Sequence, residues 1–196
     1  MNNKSRAKVP SFSLKQRLFL LLKGIFNFSI QTDATNGELI MLSRLASKKN
    51  GGVIVEIGSY LGASSLVLAK SNRKGSLYCI DTWQNDAMSE GRWDTMSEFD
   101  NNVRGCNNIV KLRMLSSEAG EKVPKEIDMI FIDGDHNYNG VKTDVDIYFP
   151  KLKSGGIIAM HDIGWAEGVN RVIREDISPF VFQSGTLPNM YWAIKK

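Results

Sequence analysis

The sequence predicts a doubly wound α/β fold: seven strands, mostly parallel with an antiparallel last strand, and helices on both faces. Three observations carry this. Short apolar runs alternate with helix-period segments along the chain, the order expected of strands joined by crossover helices. The runs 129–132 (MIFI) and 157–160 (IIAM) are apolar at every position, as strands covered on both faces must be, whereas a half-exposed sheet would show alternation. The last two runs, 180–183 and 190–194, are separated only by turn residues and should pair antiparallel. A length of 196 residues fits one domain that can bury a core without disulfides.

Residues 1–34 read as an amino-terminal helix or cap, with the α/β domain over 35–196. An amphipathic helix is expected over 14–28. Its apolar core is too short to span a bilayer or to serve as a secretory signal. Two readings stay open: the helix packs on the domain or a partner subunit, or it lies on an anionic membrane surface. Thr35-Asn36-Gly37-Glu38 then caps a helix that runs to Asn50-Gly51-Gly52. Strands follow at 53–57 and 77–80, with a helix at 63–70 between them. Segment 83–92 reads as a loop over the sheet edge. Next come a helix at 93–104, a strand at 109–114, a short helix at 116–123, and the strand at 128–132. A helix over 140–149 stops at Pro150. Gly155-Gly156 leads into 157–160, and the last helix covers 168–177.

Composition narrows the function classes. The net charge of +4 is mild, and much of the excess sits in Lys4, Arg6, Lys8, Lys15, Arg17 and Lys23. No later basic run forms a track for nucleic acid. Cys79 and Cys106 form neither a disulfide framework nor a metal spacing, which points to a reducing, cytoplasmic setting.

The chemistry concentrates at strand ends. Both histidines of the chain, His136 and His161, follow apolar runs, together with Asp133, Asp135 and Asp162. If those strands run parallel, the five residues meet at the carboxyl edge, where open α/β sheets bind ligands. Upstream, Gly58-Ser59-Tyr60-Leu61-Gly62 turns out of a strand into a helix, and its glycines permit a tight turn and close ligand approach. The spacing is not G-x-G-x-x-G, and Glu56 before the turn opposes a phosphate but suits an amine. Asp81, ending the next strand, can accept the hydroxyls of a ribose, or it can cap a turn. Glu56 and Asp81 together call for a ligand carrying an amine and a ribose.

Val53 to Gly62, Asp81-Thr82-Trp83, Phe131 to His136, Gly155-Gly156 and His161-Asp162 together resemble a class I S-adenosylmethionine-dependent methyltransferase. The similarity is greatest to small-molecule O-methyltransferases of the catechol, caffeoyl-CoA and macrolide-sugar kind. It implies a Rossmann-like fold over 35–196 with S-adenosyl-L-methionine as cofactor. Carried over by position, Glu56, Gly58 and Ser64 face the methionine part, Asp81 holds the ribose, Ser116 and Ser117 lie next to the adenine, and Ser59, Tyr60, Gly62 and Thr82 complete the cofactor-binding set. Many relatives carry Asp where Ser116 stands. Trp83 covers the ribose or adenine, or else shields the sheet edge, and Asp133 borders the cofactor.

The resemblance also implies a divalent metal on Asp133, His161 and Asp162 in metal-dependent relatives. Magnesium prefers oxygen ligands, and a nitrogen from His161 suits zinc, iron or nickel better; His161 as a hydrogen-bonded pocket residue is the alternative. His136 is the expected general base because imidazole titrates near working pH, and Asp135 is the second candidate. The acceptor expected is a small hydroxylated molecule among the aromatic residues 83–93, Tyr138 and Trp165. The competing readings are a cofactor-binding or regulatory module without turnover, and a nicotinamide-dependent oxidoreductase, which the glycine spacing disfavours. A homodimer is the expected assembly if the amino-terminal helix packs between subunits.

Overall fold

A computed structural model describes residues 7–84 and 92–196. Seven strands form one sheet: β1 (Val53–Ile57), β2 (Ser76–Asp81), β3 (Ile109–Arg113), β4 (Ile127–Ile132), β5 (Leu152–His161), β6 (Val181–Leu187) and β7 (Met190–Lys195), in the order β3-β2-β1-β4-β5-β7-β6. Neighbours from β3 through to β5 pair in parallel, while β7 pairs antiparallel with both β5 and β6. The expected mostly parallel sheet with its antiparallel last strand is what forms. Strand order reverses between β1 and β4, so the crevice of this fold opens beyond Ile57 and Ile132.

The apolar runs are explained by their two buried faces. Along β4, Met129 and Phe131 join one core layer with Ile54, Leu77, Leu39, Leu42, Val67 and Leu68, beneath α2 (Asn36–Lys48) and α3 (Ala63–Ser71). Ile130 and Ile132 join the other with Val55, Ile57 and Ile158, against α6 (Tyr138–Tyr148) and α7 (Glu167–Val172). Successive side chains alternate faces, and both faces exclude water.

Several boundaries move for local reasons. The first helix, α1, spans Leu14–Leu22 rather than 14–28. Its Ser13–Gln16 capping box starts it, and Gly24 at φ 76° ends the helical path. Phe12, Leu20, Ile25 and Ile30 of this amino-terminal part enter the core layer under α2 and α3. The helix expected over 93–104 is α4 (Met96–Asn102), started where Asp94 accepts the Met96 N–H (2.9 Å). Ser116 opens a single turn, α5 (Ser116–Ala119). The last helix keeps its extent but widens into a π turn over Ile173–Ile177. Most of the loop read at 83–92 lies outside the described residues.

Candidate active site

The turn after β1 is built by the chain's own packing. Gly58 has φ 83°, and a Cβ there would sit 2.0 Å from the Asp133 carbonyl oxygen. Only glycine lets the tips of β1 and β4 approach this closely. Gly62 (φ 86°) serves α3 in the same way, against Val103 and Phe99. Between the glycines, Tyr60 adopts φ 43°, and just after β2 Trp83 adopts φ 50°. Such angles are uncommon for bulky residues and need external support. Asp81 supplies it: Tyr60 N–H donates to Oδ2 (2.8 Å) and Trp83 N–H to Oδ1 (2.6 Å). Asp81 is therefore a turn clamp. A carboxylate can take several donors at once, so the chemistry that clamps this turn is also the chemistry that accepts hydroxyls.

Glu56 lies fully buried on the α3 side of β1. Its Oε2 accepts from the Ser59 hydroxyl (2.8 Å) and from Ser65, with the Cys79 thiol at 3.4 Å. Ser64 lies near enough to favour its charged form. Even so, Oε1 has no hydrogen-bond partner among the described residues. Burial pushes the carboxyl above its ordinary range despite the serines. A buried acceptor left this way costs about 1–3 kcal/mol, which a donor arriving with a ligand would recover.

Trp83, expected to cover the ribose or adenine or else to shield the sheet edge, turns its ring into the protein. Its indole is fully buried, packed 4.8 Å from Phe99 and donating Nε1–H to Tyr60 O (3.0 Å). The backbone of Trp83 borders the turn while its ring belongs to the core. Thr82 Oγ1 accepts the Gln84 N–H (3.3 Å). Ser117 is exposed, and Ser116 is half-buried with its carbonyl accepting from Tyr148 OH (2.6 Å).

The second half of the site gathers at the ends of β4 and β5. His161 is buried, with Nδ1 lying 3.2 Å from both Asp133 Oδ1 and Asp162 Oδ1, and Nε2 lying 3.4 Å from Glu38 Oε2. Burial opposes its charged form, but the acids, led by Asp133, outweigh burial and raise its pKa far above the ordinary histidine value. Asp133 itself is pushed up by burial, with His161 pulling the other way. Asp162 sits at φ 65°, held by four donors. His136 Nε2 is 2.8 Å from its Oδ2, while Trp165 Nε1 (2.8 Å), Asn189 Nδ2 (3.0 Å) and His161 converge on Oδ1. Against the opposing cost of burial, these hold Asp162 ionised well below the usual carboxylate range.

His136 is partly exposed, and the hydrogen bond it donates to Asp162 raises its pKa. Its ring packs 4.8 Å from that of Trp165, which is 64% exposed. Nδ1 has no partner among the described residues, so it is the ring atom open to a proton. Asp135 behaves differently. Its Oδ1 accepts the Asn137 N–H (2.9 Å) beside the start of α6, which makes it a local turn residue. Tyr138 is likewise engaged, its ring under the Arg171 guanidinium (3.9 Å) and its hydroxyl donating to Glu175 (3.3 Å).

Sequence reading missed Glu38 and Asn189. Glu38 is fully buried at the start of α2, where Oε2 takes the Thr35 N–H (2.8 Å) and Oε1 the Asn189 N–H (3.1 Å). Its pKa is lowered, chiefly by His161 acting against burial. Thr-x-x-Glu looks like an ordinary capping box, and that appearance hides the second role.

Comparison with known proteins fits this geometry. A family profile described as a methyltransferase domain matches residues 55–163. The chain belongs to that methyltransferase family. An uncharacterized protein, R132 of Acanthamoeba polyphaga mimivirus, is 27% identical over 168 residues, covering 76% of this chain and 75% of that protein. Among solved structures, the O-methyltransferase NovP superposes with a TM-score of 0.68 at 13% identity, covering 88% of each chain. The O-methyltransferase TomG from Streptomyces achromogenes, solved in complex with SAM, gives 0.64 at 15% identity over 94% of this chain and 90% of its own. At such identities the likeness establishes the fold of this methyltransferase-family chain.

One acid outside the crevice has a measurable signature. Asp144 on α6 is 2% exposed, its Oδ1 is unpartnered among the described residues, and burial raises its pKa from 3.8 to about 6. A raised folded-state pKa means ionisation opposes folding: the penalty is absent below about pH 4 and complete above about pH 6. At about 1.4 kcal/mol per unit it reaches roughly 3 kcal/mol. Asp144→Asn should therefore unfold at higher temperature than wild type near neutral pH, with the gap closing toward pH 4. A gap that does not change with pH would assign the effect to packing.

Proposed function

We propose that this protein is an S-adenosylmethionine-dependent O-methyltransferase acting on a small hydroxylated acceptor. The observation that carries the proposal is the pair of acids flanking the left-handed turn. Glu56 keeps an unpaired buried Oε1 suited to an ammonium, and Asp81 places a carboxylate, the acceptor chemistry a ribose diol calls for, beside the same turn. A pyrophosphate would meet negative charge at both, which disfavours the nicotinamide reading.

The cofactor supplies a methyl group on a positively charged sulfur. Glu56, with Ser59 and Ser64 beside it, would hold the amino-acid end, and Asp81 the ribose, fixing the sulfur against the crevice. His136 takes the proton of the acceptor hydroxyl at Nδ1 while the carbon–oxygen bond forms and the carbon–sulfur bond breaks. Asp162 orients the imidazole through Nε2 and stabilises the imidazolium that results. The exposed face of Trp165 beside His136 suits a sugar or aromatic ring. Positioning and base assistance are the contributions such a transfer asks of a protein.

Asp133, His161 and Asp162 bring one donor atom each to within 4.8 Å of one another. His161 Nδ1 lies 3.2 Å from each of the two carboxylates, and a set with one nitrogen and two carboxylate oxygens suits zinc, iron or nickel better than magnesium. Glu38 on His161 and the donors on Asp162 form the outer support such ligands require. The donor set therefore fits a divalent cation, which would lower the pKa of the acceptor hydroxyl.

A methyl-transfer assay against hydroxylated sugars and phenols tests the reading, with and without prior chelation. Transfer should occur in the native protein, fall at least about tenfold after chelation, and return with divalent cation. Full activity in chelator would leave the His161 proton, and no ion, between the acids. Cofactor binding without transfer to any acceptor would favour the regulatory module.

A further inference from the structure

The amino-terminal helix packs inward and still presents a second apolar face to solvent. Leu20 is buried, and Phe19 packs against the core. On the outer side, Leu14 is 83% exposed, Leu18 59%, Leu22 77% and Phe26, just past the helix end, 83%. Leu14, Leu18 and Leu22 recur at helical spacing and share one face of α1, and Phe26 adds an exposed ring after the left-handed turn at Gly24. Beside it lies a hollow of about 240 Å³ lined by Phe12, Leu20, Leu21, Ile25, Phe26 and Arg17. Contiguous apolar surface of this kind marks an interaction site.

Charge says what covers it. Residues 1–32 contain six basic residues and no acid, leaving 19 basic and 21 acidic residues in the remainder. The whole positive excess of the protein thus belongs to the segment that carries the stripe. Two copies meeting face to face through this patch would set like charge against like, because a two-fold interface repeats one surface on itself. An anionic lipid surface offers the complementary sign, and leucine and phenylalanine suit the boundary between headgroups and acyl chains. No described helix is long and apolar enough to cross a membrane, so the contact is peripheral.

We infer that α1 and the turn after it dock this protein onto anionic membrane surfaces, with Leu14, Leu18, Leu22 and Phe26 entering the interface and the amino-terminal basic residues engaging lipid headgroups. The start of α1 is tied to the first turn of α2, whose Glu38 contacts His161. Asn36 Nδ2 donates to Ser11 O (3.0 Å) and Gln16 Oε1 (3.2 Å), and Glu38 of the same helix turn reaches His161.

Flotation of the full chain with vesicles of phosphatidylcholine alone, or with about 30% phosphatidylserine, tests this, with light scattering run alongside. Partitioning should be at least about tenfold stronger onto the anionic vesicles and should weaken with salt. It should fall by a similar factor in Leu22→Ser/Phe26→Ser and in Lys15→Glu, each with an unchanged melting temperature. Failure to float with either vesicle, equal flotation with both, or flotation indifferent to the Leu22/Phe26 pair would overturn the inference. A stable dimer in solution that Leu22→Ser/Phe26→Ser dissociates would instead give the stripe to a second copy.

Discussion

His136→Ala should lose about 100-fold or more in kcat while its affinity for S-adenosylhomocysteine stays within about twofold of wild type, the range expected when a positioned base is removed. The split follows from the geometry. His136 lies on the β4 side of the crevice, bound to Asp162 and packed on Trp165, and it touches none of the groups around Glu56 and Asp81. Asp162→Asn should show part of the same loss, since it would weaken the grip on Nε2 and disturb the other donors. Asp135→Asn should have a small effect, because its carboxylate is already spent on the Asn137 turn. If His136→Ala kept most of its turnover while Asp135→Asn lost it, the base would be Asp135.

Asp81→Ala should weaken S-adenosylhomocysteine binding at least tenfold, about 1.4 kcal/mol. Two losses combine. The ribose hydroxyls lose a charged acceptor, and the Tyr60 and Trp83 backbones, held at φ 43° and 50° by that carboxylate, lose their clamp. Asp81→Asn separates the two. Its amide oxygen can still accept one backbone N–H, so it should preserve more of the turn than alanine does, yet bind the ligand less well than wild type. Equal affinity in all three proteins by calorimetry would remove Asp81 from the ribose.

Much of this was legible in the sequence because the signals are local. β1 forms over the expected residues, since Val53-Ile54-Val55-Glu56-Ile57 sits between Gly52 and Gly58 and is buried on both faces. The convergence of Asp133, His136, His161 and Asp162 followed from two parallel strands ending together. What stayed hidden depends on tertiary contact. Glu38 meets His161 across 123 residues and Asn189 across 151, and no periodicity encodes that. Whether the Trp83 ring covers the cofactor or shields the sheet edge is not written in the local sequence; Phe99 and the Tyr60 carbonyl draw it into the core. The apolar pattern of α1 continues past Gly24, where the backbone turns left-handed, so the pattern outlasts the helix.

One molecule is expected to bring an ammonium to Glu56 and a ribose to Asp81 at the carboxyl edge of β1 and β2, beside the crevice between β1 and β4. Calorimetric titration of the wild-type protein with S-adenosylhomocysteine, repeated with NAD, tests it most directly. Saturable binding of the thioether at one site per chain, with no heat from NAD, is the expected result. No binding of the thioether, or binding of NAD in its place, would contradict it.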